Sequence, residues 1–105
     1  MTKELLERLK DIAKRLKREY GAEKVILYGS YAKGEETEDS DIDIFVIAPT
    51  DERFFERMAT VVRIIRDLRK GLAIEPIVMT REEVEDRIEM GDEFVKQIIE
   101  EGVPL

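Results

Sequence analysis

Cysteine and histidine are both absent from the 105 residues of this chain. Without cysteine there is no disulfide framework and no thiolate metal site. Without histidine there is no Ser-His-Asp triad, no imidazole-bound zinc and no imidazole general base. Any catalysis must run on carboxylates, hydroxyls, backbone amides, lysine or arginine. Positive charge is in short supply: 18 Lys+Arg stand against 25 Asp+Glu, a formal net charge of −7. Phosphate gripping rests on basic patches, so direct nucleic-acid binding is not expected. No apolar run is long enough to cross a membrane, and the first residues read as a charged helix rather than an apolar leader. The expected location is therefore the cytoplasm. Asparagine is missing and Gln97 is the sole glutamine. Few thermolabile residues among many opposite charges is the hyperthermophile tendency, and a melting point above the mesophile range is expected.

What remains is 43% apolar and 41% charged. That is enough apolar material for a core, and the length suits one compact domain over residues 1–105. Leu5, Leu6, Leu9, Ile12, Ala13, Leu16 and Tyr20 recur at helical spacing, with Thr2 placed to cap the start and Gly21 to end it. Val25 to Tyr28 is a short continuous apolar run, as in a strand buried on both faces. Gly29 breaks it, and Ser30 to Ser40 reads as a turn, a short helix and a loop. Asp41 to Ile47 is a second strand, with Ile42, Ile44 and Val46 on one face and Asp41, Asp43, Phe45 and Ile47 on the other. Thr50 is expected to cap a helix whose apolar stripe is Phe54, Phe55, Met58, Val61, Val62, Ile65 and Leu68. At that spacing the aromatics, like Phe94 later, read as core.

Ala73 to Met79 is a third strand, expected at an edge or bulged at Pro76, which has no N–H for a ladder. Thr80 and Glu83 form a capping box, and two short helices follow, broken near Gly91, with Asp92 capping the second. Helices alternating with strands predict a small α/β sheet with helices packed on it.

Three features carry chemistry. Gly29-Ser30 stands where a buried strand meets a helical turn, where free N–H groups favour phosphate; alone, such a pair is also an ordinary turn. Asp41 and Asp43 project from one strand face, close enough to repel unless a hard cation sits between them. The alternative is the solvated face of an edge strand, but two Asp leading an apolar strand break a local rule, and broken rules mark sites. Glu75 is an acid inside an otherwise apolar strand; it either pairs with a base at the sheet edge or joins the two Asp.

Together these residues resemble a known signature. VILYGSYAKGEETEDSDIDIFVI, residues 25–47, contains Gly-Ser, ten residues, then Asp-x-Asp. It is similar to the nucleotidyltransferase superfamily typified by DNA polymerase β, and in particular to minimal nucleotidyltransferase (MNT) domains. Gly29, Ser30, Ala32, Gly34, Ser40, Asp41 and Asp43 match in order. Glu75 stands where the family more often has Asp, and Tyr31 and Lys33 stand where it often has Arg. The tail from Phe94 to Leu105 also resembles the end of these domains.

The resemblance implies a polymerase-β-like fold with a small mixed sheet of three to four strands. It implies transfer of a nucleotide from ATP to an acceptor hydroxyl with two Mg²⁺ ions. Asp41, Asp43 and Glu75 would be the catalytic, metal-holding acids, and Gly29, Ser30 and Ser40 the nucleotide-binding residues. Lys33 would add charge near the phosphates or remain a solvated loop lysine. The family setting implies a HEPN-domain toxin as partner, with AMP placed on its tyrosine, as in a type VII-like toxin–antitoxin pair. A binding antitoxin without catalysis, and transfer to a small molecule or an RNA end, are the alternatives.

Overall fold

The computed structural model describes residues 1–105. Helix α1 (Lys3–Glu19) opens where the Thr2 hydroxyl accepts the Leu5 N–H, 3.1 Å away, and Gly21 takes a positive φ just beyond its end. Strand β1 (Lys24–Tyr28) leads into the four-residue helix α2 (Ser30–Lys33), and a loop returns the chain to strand β2 (Ile42–Ile47). Helix α3 (Phe54–Ile64), strand β3 (Ile74–Met79), helices α4 (Arg81–Glu89) and α5 (Glu93–Glu101) and the two-residue strand β4 (Val103–Pro104) complete it. No helix is long and apolar enough to cross a membrane.

The sheet is four-stranded and mixed, in the order β3-β2-β1-β4. Strand β1 runs antiparallel to both neighbours, whereas β2 and β3 are parallel. Pro76 lies on an edge strand as its chemistry requires. The strand expected from Asp41 begins one residue later, at Ile42. Strand β4 is an element that periodicity does not reveal. It exists because α5 ends beside the free edge of β1, where Gly102 packs so closely that an added Cβ would strike the Ile26 side chain and the Ile98 carbonyl.

Alternation along the strands divides the core. On one face, α1 and α3 seal a cluster of fifteen buried residues, including Leu9, Ile12 and Leu16 from α1, Ile42, Ile44 and Val46 from β2, Val61 from α3 and Ile65 at its C-terminal cap. On the other, α4 and α5 cover seven: Ile26, Phe45, Ile47, Met79, Val84, Val95 and Ile98. Strand β2 belongs to both clusters, which accounts for its apolar sequence.

Helix α3 departs from expectation. The Thr50 hydroxyl does not cap it but accepts the Glu52 N–H, and Arg53 is the residue at its start. Phe54, Phe55 and Met58 face outward, with Phe55 71% exposed, while Arg57 turns inward and is only 6% exposed. The reason is polar. The Arg57 guanidinium donates to the Val78 carbonyl at 3.2 Å, to the Glu52 carbonyl at 3.0 Å, and to both Glu83 carboxylate oxygens at 2.6 and 3.1 Å. Glu83 also completes the predicted capping box with Thr80. One arginine thus ties α3, on one face, to α4, on the other, around the outer edge of β3.

Candidate active site

The β2 register sets the site. Asp43 stands opposite Tyr28 on one side and opposite Glu75 on the other. In-register neighbours point to the same face, so Tyr28, Asp43 and Glu75 form a row across one end of the sheet, spaced by roughly 5 Å per strand. Asp41 shares their face by alternation and stands just ahead of the strand, exposed. That face is the one covered by α4 and α5, and the row lies where their cover thins.

The row is electrostatically tense. Asp43 is half-buried, and its carboxyl is held above the ordinary carboxylate range, first by burial and then by the charges of Glu75 and Asp41. The Tyr28 phenol is pushed up to about 12 by burial and by the same negative neighbours, Asp43 and Glu75. The molecule's ion pairs lie elsewhere, and none joins Asp41, Asp43 or Glu75 to a lysine or arginine.

Gly29 is fixed by two constraints. Its backbone, at φ 77° and ψ −154°, lies in a region that only glycine enters readily. A Cβ there would also collide with Asp43 Oδ2. The turn and the carboxylate are therefore packed directly against each other. Ser30 follows as the first residue of α2, and the Gly29 carbonyl accepts the Lys33 N–H at 3.2 Å.

A cleft of about 340 Å³ opens between this turn and α5. Gly29, Lys33 and Asp43 line one side, and Phe94, Gln97 and Glu101 the other, with Tyr28 also on the wall. Of the sequence-predicted site residues, Gly29 and Asp43 line the cleft, while Asp41 and Glu75 do not: Glu75 stands in register with Asp43 and Asp41 just ahead of its strand. Ser30 adjoins it at the start of α2. Ser40 does not line it: its hydroxyl accepts the Thr37 N–H at 2.9 Å and closes a turn in the loop before Asp41.

Sequence reasoning missed Tyr28, Phe94 and Gln97 as cleft residues. Phe94 had the clearest signal, for it is half-exposed rather than core and its ring meets Tyr28 edge-on, with centroids 5.8 Å apart and planes at 85°.

The donor set suits a hard cation. Every candidate ligand is a carboxylate outside any ion pair, and the like charges around Asp43 would be relieved by a positive ion. No three acids in the molecule gather into a cage. Mg²⁺ commonly takes one or two carboxylates and completes its shell with water and substrate phosphates, and Asp41 with Asp43 could supply that pair.

Comparisons with known proteins bear on the family and the fold. Residues 9–105 match the family described as "Nucleotidyltransferase domain". The chain is similar to two proteins of Methanocaldococcus jannaschii, each named a "putative protein adenylyltransferase". One is 35% identical over 101 residues, spanning 96% of this chain and 90% of the relative. The other is 33% identical over 96 residues, spanning 90% of each. Among solved structures, the chain resembles that of a "putative nucleotidyltransferase" from Sulfolobus solfataricus. The TM-score is 0.63 at 26% identity, over 94% of this chain and 77% of the other.

Proposed function

The chain belongs to the nucleotidyltransferase domain family, and from that premise we propose that it is a Mg²⁺-dependent protein adenylyltransferase, moving AMP from ATP to a tyrosine hydroxyl of a HEPN-type toxin. The observation that carries the reading is the unpaired acid row packed against Gly29: Asp43 feels the charges of both Asp41 and Glu75, and its Oδ2 fills the space a Cβ on residue 29 would need.

In this reading Asp41 and Asp43 hold the metal, and Glu75, in register with Asp43 on the neighbouring strand, is the base. Bound Mg²⁺ supplies charge to the triphosphate and to the attacking and leaving oxygens. Gly29 and Ser30 present the start of α2 to the β- and γ-phosphates, and Ser40 supports the loop that delivers Asp41. Lys33 lends positive charge from the cleft wall. The acceptor oxygen attacks the α-phosphorus, the bond from that phosphorus to the bridging oxygen breaks, and pyrophosphate leaves. The hydroxyl proton passes to Glu75. No step needs imidazole or thiol.

The net charge of −7 suits a basic protein surface as acceptor and opposes a direct grip on RNA. The relatives named as protein adenylyltransferases support the same acceptor class.

The test is incubation of the protein with α-labelled ATP, Mg²⁺ and a HEPN-domain protein encoded beside it. Label is expected on a tyrosine of the partner, and none with Asp41→Ala or Asp43→Ala. Label on an RNA but on no protein would refute the acceptor. An Asp43→Ala protein that silences the partner as well as wild type would show that contact, not transfer, is what counts.

A further inference from the structure

Gln97 is the one carboxamide side chain in the whole sequence, and the fold places it, exposed, on the wall of the cleft that opens on Asp43 and Gly29. Phe94 lies one turn before it and Glu101 one turn after, and all three line the cleft. Their three- and four-residue spacing makes a single stripe along α5. Phe94 is 51% exposed although it is a large aromatic, and Tyr28 holds its ring from the edge. The cleft therefore has two chemically distinct sides: a turn, a lysine and a carboxylate suited to phosphate and metal, and an aromatic face, a carboxamide and a carboxylate suited to neither.

We propose that this stripe of α5 is the nucleobase subsite and that Gln97, with Glu101, makes it favour adenine and cytosine, whose edges pair an amino group with an acceptor nitrogen, over guanine and uracil. The proposal rests on the nucleotidyl-transfer reading above and adds to it where the base lies and which side chains select it. An exposed aromatic face can stack on any base and does not discriminate between them. A carboxamide offers an N–H donor beside a carbonyl acceptor, the complement of an amino group and its adjacent ring nitrogen as adenine and cytosine present them; turned over, it would also meet the ring N–H and carbonyl of guanine or uracil, so a second group must fix the choice. The Glu101 carboxylate only accepts, so it favours a base edge bearing an amino group and repels the carbonyl that uracil presents there. Stacking by Phe94 then gives affinity, and Gln97 with Glu101 gives choice.

Calorimetric binding of the α,β-methylene analogues of ATP, GTP, CTP and UTP in Mg²⁺, with inorganic tripolyphosphate as a base-free probe, separates these roles without requiring turnover or an acceptor. Wild type is expected to bind the ATP and CTP analogues about tenfold more tightly than those of GTP and UTP, the discrimination typical of one good bidentate contact. Gln97→Ala is expected to bring all four within about threefold of one another while tripolyphosphate binding stays unchanged. Phe94→Ala is expected to weaken all four by about tenfold without changing their order. Gln97 is exposed, so Gln97→Ala should melt as wild type does, while Phe94→Ala should melt slightly lower because it loses the edge-on contact with Tyr28.

Retention of the wild-type preference in Gln97→Ala, or equal binding of all four nucleotides by wild type, overturns the base subsite alone. Failure of wild type to bind tripolyphosphate and every nucleotide overturns the nucleotidyl-transfer reading with it.

Discussion

Beneath α1 and α3 the sheet buries a cluster of fifteen residues, with Leu9, Ala13, Leu16, Ile44 and Val46 wholly inaccessible. Beneath α4 and α5 it buries seven, and the cover thins over half-buried Tyr28 and Asp43 and leaves Glu75 exposed. The two faces come from the same strands, read on alternate residues. The difference shows how a small domain makes room for chemistry. One face carries most of the hydrophobic stabilisation, which leaves the other free to hold like charges together at its open end. Asp43 is costly where it stands, because burial and two negative neighbours oppose its ionisation. A fold whose two faces were both half-sealed would have less stability to set against that cost.

The sharpest way to break this contrast is to remove the charge and keep the shape. Asp43→Asn is expected to lower transfer about 10³-fold, the scale of a lost metal contact, while the melting point stays level or rises. The sign follows from linkage. The Asp43 pKa is raised in the fold, so its contribution favours folding at low pH and is lost as pH rises through that raised value. At neutral pH the ionised side chain opposes folding, and asparagine relieves it. A melting point several degrees lower would refute the claim that stability resides on the opposite face.

A matched pair of truncations compares the faces directly. Ile12→Ala, in the larger cluster, is expected to cost about 4 kcal/mol in urea denaturation, and Ile98→Ala, beside the cleft, about 2 kcal/mol. The substitution is the same, but water can reach the cleft side and shrink the cavity. Equal losses would show that the two cores are equally tight.

The join between the faces gives a smaller, pH-dependent effect. The hydrogen bonds from Arg57 hold the Glu83 carboxyl below its ordinary value of 4.5. The stability it contributes is present above that value and lost as pH falls through the depressed one. Glu83→Gln is expected to remove about 1–2 kcal/mol at neutral pH and to flatten the acid limb of the stability profile. An unchanged acid limb would mean that the two layers are not coupled through this pair. The least effect is expected at Phe55, which is 71% exposed: Phe55→Ser should change stability by less than about 0.5 kcal/mol. A larger loss would return that side chain to the core.

Legibility in the sequence followed the range of the interactions. Local signals translated directly into structure: the Thr2 cap, the Thr80–Glu83 capping box, the Asp92 cap and the break at Gly91. Pro76 reported its edge position because a missing N–H is a property of one residue. Asp41 and Asp43 were legible for a similar reason, since a strand led by two acids breaks a rule visible within a few residues. What was not legible depended on distant partners. Arg57 takes the inward position on α3 because Val78 and Glu83, more than twenty residues later, offer oxygens to it, and this turns Phe54, Phe55 and Met58 outward. Strand β4 depends on where α5 docks, and so do the places of Phe94 and Gln97 on the cleft wall.

The contact between Gly29 and Asp43 has a consequence for descent. Two independent demands keep glycine at that position, a backbone conformation closed to other residues and an oxygen where a Cβ would go. A lineage that abandoned catalysis could replace Asp43 by a smaller residue and lift the second demand, but the first would remain as long as the turn did. Glycine there would outlive the activity. Among descendants of this chain, its persistence would record an inherited turn, and the carboxylate beside it would be the witness to a working enzyme.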